Sequence, residues 1–251
     1  MSTVDIRGKS VLVLGGYGLV GQAVTRRLLR ESPRRMVLLS LARREAEEAA
    51  IALESERGDV EVAPAWGDIF TFADWKDEPR DQVYGDPARR RRFIESLVGP
   101  LTEAAASEYF LHQLVTKERP DVIVDAVNTA TGIAYQDVYK TGRVAWDALQ
   151  KGTDLRESLE MLLVMDHVPQ LIRHVQVLYQ AMVKAGTGVY VKIGTSGTGG
   201  MGLNIPYTHS EEKPSRVLLS KSALAGAHSL LLFLMARTPG GPITKEIKPA
   251  A

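Results

Sequence analysis

The chain has 251 residues, 31 Lys plus Arg against 30 Asp plus Glu, and no cysteine. A net charge of +1 gives no global pull towards nucleic acid or an acidic membrane surface. The missing cysteines exclude disulfides, cysteine-ligated metals and a thiol nucleophile, and they suit a reducing cytoplasm.

This length holds one large α/β domain, or one domain and a small lobe. The start, MSTVDIRGKS, lacks an apolar signal core, and the longest strongly apolar run, 230–235, is too short to span a bilayer. A cytoplasmic protein without membrane or nucleic-acid partners is expected. No internal repeat or low-complexity tract is visible.

The first signal comes early. Val11 to Leu14 predicts a buried parallel strand, and Leu19, Val20, Ala23, Val24, Leu28 and Leu29 recur at helical spacing. Between them lies Gly15-Gly16-Tyr17-Gly18-Leu19-Val20-Gly21, a glycine turn between strand and helix. One glycine lets the chain turn, a second lets backbone N–H groups approach a pyrophosphate, and a third lets helix and strand pack closely. The helix start adds unpaired N–H groups and partial positive charge. The plainer reading is a glycine turn that serves packing alone.

Residues 35–41 predict a second buried strand. Where an acidic residue would bind the ribose hydroxyls of NAD, this chain has Ser40, Arg43 and Arg44, groups suited to the 2′-phosphate of NADP. The alternative puts both arginines on the solvated first turn of a helix over 42–57. A third strand is predicted over 60–66, followed by Gly67, Asp68 and Ile69, which alone make an ordinary turn. Residues 70–88 read as an irregular surface loop. Arg89 to Arg92 open a helix running towards Lys117, and the run reads as a solvated face rather than a nucleic-acid patch.

A fourth strand is predicted over 120–126, followed by Asn128, Thr129 and Ala130. Residues 132–151 are less regular and carry Tyr135, Tyr139 and Trp146, which either line a substrate pocket or fill the core of a small helical insertion near 132–157. Residues 155–185 are helical, with Pro169 set to break or kink the helix. His167 and His174 lie two turns apart on it with no further ligands, so no metal site is expected. Residues 188–193 predict a fifth strand, followed by the glycine-rich stretch 194–202. A last helix spans 216–236 and a sixth strand 242–248.

Taken together, Gly15, Gly18 and Gly21, then Thr195-Ser196, Gly202, Pro206-Tyr207, Glu211-Glu212, Pro214-Ser215 and Ser220-Lys221 in that order, resemble the extended short-chain dehydrogenase/reductase family, of the sugar-nucleotide epimerase/dehydratase type. The resemblance covers most of residues 9–237, apart from 70–88 and the insertion. It implies a doubly wound, mostly parallel Rossmann-like α/β domain over 1–251, with the family's C-terminal substrate lobe largely absent. Either the chain is a piece of a longer protein, or the insertion and a partner subunit complete the pocket.

The resemblance also implies roles. Asp68 and Ile69 contact the adenine, and Asn128, Thr129 and Ala130 line the cofactor. The helix within 155–185 flanks the cofactor and forms a homodimer interface, for which the helix at 89–118 is the expected companion. Ser196 polarises the substrate oxygen, and Lys221 holds the nicotinamide ribose. The family tyrosine belongs four residues before Lys221, where Val217 stands and cannot transfer a proton. Tyr207, His209 and Thr198 are the substitutes in the same loop; alternatively a substrate group or water serves. The expected activity is NADP-dependent oxidation or reduction, or epimerase/dehydratase chemistry, on a small hydroxyl or carbonyl compound. A non-catalytic NADP-binding regulator or scaffold is the rival.

Overall fold

Every residue of β1 (Ser10–Leu14) is buried, because the strand is central and covered on both faces. The computed structural model describes residues 5–134, 136–194 and 216–247. In chain order after β1 come α1 (Leu19–Leu29), β2 (Arg35–Ser40), α2 (Arg43–Ile51), β3 (Glu61–Trp66), α3 (Arg80–Gly85), α4 (Pro87–Val98), α5 (Glu103–Ser107) and α6 (Phe110–Glu118). They are followed by β4 (Val122–Asp125), α7 (Thr129–Ala134), α8 (Val138–Lys151), α9 (Arg156–Val164), α10 (His167–Ala185), β5 (Val189–Ile193), α11 (Arg216–Ala236) and β6 (Ile243–Ile247).

The six strands form one sheet in the order β3-β2-β1-β4-β5-β6, and each adjacent pair is parallel. This is the doubly wound Rossmann order. Chain direction across the sheet reverses between β1 and β4, and the crevice beyond their carboxyl ends is where such sheets take ligands. Alternate side chains of β1 to β5 feed opposite cores. Leu12, Leu14, Leu39, Ile123 and Tyr190 pack with Leu111, Leu178, Met182 and Leu232 of α6, α10 and α11. Val11, Val13, Met36, Leu38 and Val124 pack with Leu29, Ala49 and Leu53 on the side of α1 and α2.

Several expectations need correction. Residues 70–88 are no surface loop: Phe72, Trp75, Val83 and Tyr84 join Phe93, Tyr109 and Val177 in a third buried cluster. Their aromatic area is worth more inside than in water, which charge-rich surroundings in sequence had masked. The stretch 89–118 is three helices rather than one. Its arginines are not a free solvated face either. Arg90 is buried, binds Glu160 at 2.9 Å and donates to the Tyr84 carbonyl. Arg91 shares Glu160, Arg89 binds Glu78, and Arg92 lies over Phe72 and Trp75.

The helix expected over 42–57 stops at Ile51 and passes into turns. The irregular stretch after residue 132 is mostly α8, a 14-residue helix. Pro169 does not break a helix. The chain breaks ahead of it, at Asp166, which caps α10 through the Val168 N–H, and Pro169 sits in the first turn where its missing N–H is not needed. Within the chain, α10 packs on α6, α4 and α5 and leaves Val168, Ile172 and Val183 exposed. Helix α11 has the length and apolar composition to cross a bilayer, yet it packs against α7, α10 and β6 and buries Lys221 and His228.

Candidate functional site

The glycine turn leaves β1 at Gly15, whose φ of +82° only glycine adopts without strain. The N–H groups of Gly15 and Gly16 both donate to the Leu39 carbonyl, at 2.9 and 2.8 Å, which pins the turn to the end of β2. Gly21 is a packing glycine: a Cβ there would fall 2.0 Å from the Gly15 carbonyl oxygen. Gly18 differs from both. Its φ is −63°, and a Cβ would meet only the Gly15 oxygen, at 3.5 Å. Among the described residues nothing requires a glycine at 18, and the position it keeps clear is exposed at the N-cap of α1.

No side chain caps that helix and its first turn holds no acid. Tyr17, Leu19 and Val20 beside it are exposed, Leu19 at 89%. Bare N–H groups, a clear approach and exposed apolar side chains fit a dinucleotide pyrophosphate.

From Gly15 an open cleft of about 1040 Å³ runs along the ends of β2 and β3. It brings together Ser40, Arg43, Asp68 and Ile69 of the expected cofactor residues, and adds Trp66, Phe70, Lys76, Arg80, Val127 and Gly132. Ser40 is buried and its Oγ accepts the Tyr17 N–H at 3.2 Å. Arg43 pairs with Glu47 at 2.7 Å and lies 5.0 Å from the Trp66 ring centroid. Arg44 pairs with Glu48 outside the cleft wall. Asp68 is clamped by Arg80 through two bonds of 2.6 and 3.0 Å and also accepts the Phe70 N–H. Arg80 reaches on to the Gly132 carbonyl, joining the exit of β3 to α7. The Ile69 side chain belongs to the core.

At the end of β4, the exposed Asn128 caps α7 by accepting the Thr131 N–H, while Thr129 and Ala130 face inward. Lys221 is buried on α11, and the Ser220 hydroxyl beside it shares a hydrogen bond of 3.1 Å with Tyr139. Val217 lies one turn before Lys221 on the same helix. Ser196 and Tyr207, with Thr198, His209 and Tyr135, fall outside the described residues. Among the described residues no group of three or more His, Cys, Asp or Glu could hold a metal. His167 Nε2 is within 2.8 Å of the Gln136 carbonyl, and His174 is a core residue against Phe70.

Sequence reading missed a buried charged group under this site. Asp125, fully buried at the end of β4, pairs with Lys192 of β5 at 3.0 Å and accepts from the Tyr190 hydroxyl at 2.7 Å. Burial pushes the Asp125 carboxyl up, but Lys192 and the Tyr190 hydroxyl outweigh it and hold its pKa below the ordinary value. The same burial pushes Tyr190 well up. Lys192 also donates to the Val127 carbonyl and Thr129 Oγ1, and Asp125 accepts the Val127 N–H. Val127, a wall of the cleft, is therefore gripped on both sides of its backbone. The available signal was a lone charge inside each apolar strand, in VIVDA and VYVKI, since such charges are buried only when paired. His174 lies near this group; burial lowers its pKa to about 4.

No protein-family model matches the chain, and no curated protein matches it. Solved structures do. The chain is similar to Pen from Bacillus thuringiensis at 12% identity, covering 96% of this chain and 51% of that one with a TM-score of 0.47. A bulky-bulky ketone specific alcohol dehydrogenase from Comamonas testosteroni matches at 11% identity over 95% of this chain and 71% of its own, TM-score 0.47. A short-chain dehydrogenase from Sphingobium yanoikuyae in complex with NADPH matches at 16% identity over 90% and 62%, TM-score 0.36. The chain thus spans from about half to about seven-tenths of the length of these proteins. At such identities the likeness is one of fold.

Proposed function

We propose that the chain binds NADP across the carboxyl ends of β1, β2 and β3 and acts as a short-chain-dehydrogenase-type oxidoreductase, or an epimerase/dehydratase of that type, on a small hydroxyl or carbonyl compound. The observation that carries the reading is Gly18: a glycine that no described residue requires, at an uncapped helix N-terminus three residues beyond Gly15, where the long cleft begins. The pyrophosphate would lie against the Gly15–Gly21 turn, the adenosine end along Ser40, Arg43 and Trp66, and the nicotinamide ribose towards Lys221. NADP, when bound, supplies or accepts a hydride. The protein's part is to hold it and to keep Val127 in place through Asp125 and Lys192.

The preference for NADP over NAD rests on Arg43, which lines the cleft just past β2, where residues 40–44 carry no acid. Calorimetric titration with NADPH and NADH tests the reading. We expect tighter binding of NADPH and loss of both in Gly18→Val with the fold retained. Undiminished binding in that variant would sink it. A second reading, a non-catalytic NADP-binding regulator, is favoured by Val217, which stands without a proton to give. Cofactor binding without turnover of any carbonyl substrate would select it. Self-association is proposed through α10, which exposes Val168, Ile172 and Val183, while the expected companion stretch 89–118 packs on α10 within the chain; a monomer in sedimentation at micromolar concentration would remove it.

A further inference from the structure

Helices α8 and α11 meet at an open pocket of about 550 Å³ lined by Asp137, Tyr139, Lys140, Arg143, Arg216 and Val217. Three cations face one carboxylate there, Asp137, which also caps α8 by accepting the Lys140 N–H at 2.9 Å. Several exposed arginines elsewhere are held by acids at short range, Arg27 by Glu31, Arg43 by Glu47, Arg44 by Glu48 and Arg89 by Glu78, while others, such as Arg30, Arg34 and Arg156, stand singly on the surface among the described residues. In this pocket the pairing fails. Arg143 has only Asp147, at 3.9 Å, and neither Lys140 nor Arg216 has a carboxylate within 4.0 Å among the described residues. Arg216 instead lies over the Tyr139 ring, 5.4 Å from its centroid.

Like charges gathered in a concavity repel one another, and an anion placed among them relieves that repulsion. Two further features favour one. Helix α8 contributes its first turn, the positive end of its dipole. The Tyr139 hydroxyl, which shares a hydrogen bond of 3.1 Å with Ser220, adds a polar group to the same pocket. Arginine's planar fork matches the paired oxygens of a carboxylate or phosphate.

We propose that this pocket binds the carboxylate or phosphate group of a small molecule, so that the substrate is an anionic hydroxyl or carbonyl compound. Its being a substrate rests on the oxidoreductase reading; its being an anion rests on the pocket's own charges. Arg143 and Arg216 grip the group, Lys140 adds charge, and the Tyr139 hydroxyl adds a hydrogen bond. The pocket lies apart from the glycine turn, so it is a second anion site and not the pyrophosphate site.

The test is calorimetric titration of the whole chain with inorganic phosphate and with acetate, in the unmodified protein, in Arg143→Gln/Arg216→Gln, in Lys140→Glu and in Gly18→Val. Saturable binding of at least one probe is expected in the unmodified protein. It should weaken about tenfold or more in the arginine variant, from the loss of two charge-assisted partners, and fall in Lys140→Glu. It should persist in Gly18→Val, and NADPH affinity should be unchanged in the arginine variant. Absence of saturable binding, binding that survives both charge variants, or binding that Gly18→Val alone abolishes would each overturn the proposal. So would co-sedimentation with phosphatidylserine vesicles without a response to either free anion, which would make the pocket a lipid site. If NADPH fails to bind while the anion behaves as expected, the oxidoreductase reading falls and the anion pocket stands.

Discussion

The carboxyl ends of β1 and β4 lie side by side in the sheet and solve opposite problems. Beyond β1 the chain offers backbone: glycines, uncapped N–H groups and a helix end that carries no acid. Beyond β4 it offers charge, but charge turned inward, with Asp125, Lys192 and Tyr190 saturating one another under Val127. The first region leaves its electrostatics incomplete and open to a ligand. The second completes its own and uses it to fix a wall of the same cleft. A crevice at a topological switch point needs both, one side that receives and one that does not give.

The comparison breaks most sharply at Lys192. Lys192→Met strands a buried carboxylate, and loss of one partner of such a pair costs about 3–5 kcal/mol. Urea unfolding should show that loss. Lys192→Met/Asp125→Leu should recover part of it, and only part, since the Tyr190 hydroxyl and the Val127 N–H then lose their acceptor. A single variant as stable as the parent would mean that the pair does not hold the wall.

His174 sharpens the same side through pH. Both its ring nitrogens are buried without a partner, and Asp125, Lys192 and Arg80 act on it from β4, β5 and α3 while His228 of α11 lies across from it. The unfolded imidazole takes a proton below about pH 6.5, and the folded one only near pH 4. Between those values the unfolded state binds more protons, so stability falls as pH falls from about 6.5 to 4, by about 3 kcal/mol in all. Asp125, whose folded pKa is lowered, adds its own loss at still lower pH. His174→Leu should hold neutral-pH stability and flatten the slope between pH 6.5 and 4. An unchanged slope in urea unfolding at pH 7 and 4.5 would show that other groups set the acid sensitivity.

On the β1 side the two glycines should part company. Gly21→Ala drives a methyl into the Gly15 carbonyl and should cost about 1–3 kcal/mol, as overpacking does, with cofactor binding weakened alongside. Gly18→Ala meets only an ordinary contact. It should leave stability nearly unchanged and act on cofactor affinity alone, which thermal unfolding and titration together would separate. If both variants lose stability alike, the turn is a packing device and the open side of Gly18 means nothing.

This contrast also explains what could be read from sequence. The β1 side is local: strand, turn and helix are contiguous, each glycine job has a short-range cause, and the periodicities of β1, β2, β4, β5 and β6 each belong to one element. The β4 side is not. Asp125 and Lys192 are far apart in sequence, and only the parallel register that sets them opposite turns two odd charges into a pair. The same holds for Arg80 with Asp68 and Gly132, and for Arg90 with Glu160. The aromatic cluster around Phe72 and Tyr84 was hidden by the acids and prolines between its members, because its period is set by α4 and α10, which cover it, and not by the segment itself. Tyr139 was visible as an aromatic in an insertion, but its meeting with Ser220 and Arg216 needs the fold.

The smallest expected effect separates the two arginines that sequence reading treated as one. Arg43 lines the cleft beside Trp66; Arg44, on the next position of α2, points its charge at Glu48 outside the cleft wall. Both sit in exposed i,i+4 pairs, which hold an arginine weakly and release it readily to a better acceptor. A 2′-phosphate in the cleft is such an acceptor for Arg43 and out of position for Arg44. Arg43→Ala should therefore lower NADPH affinity about tenfold, the scale of one charge-assisted bond, and leave NADH alone. Arg44→Ala should change neither. Glu47→Gln, which frees Arg43 from its competitor, should raise NADPH affinity slightly. Equal losses for NADPH and NADH in Arg43→Ala would place the guanidinium on the adenine and not on a 2′-phosphate, and the NADP preference would have to be sought elsewhere along the cleft.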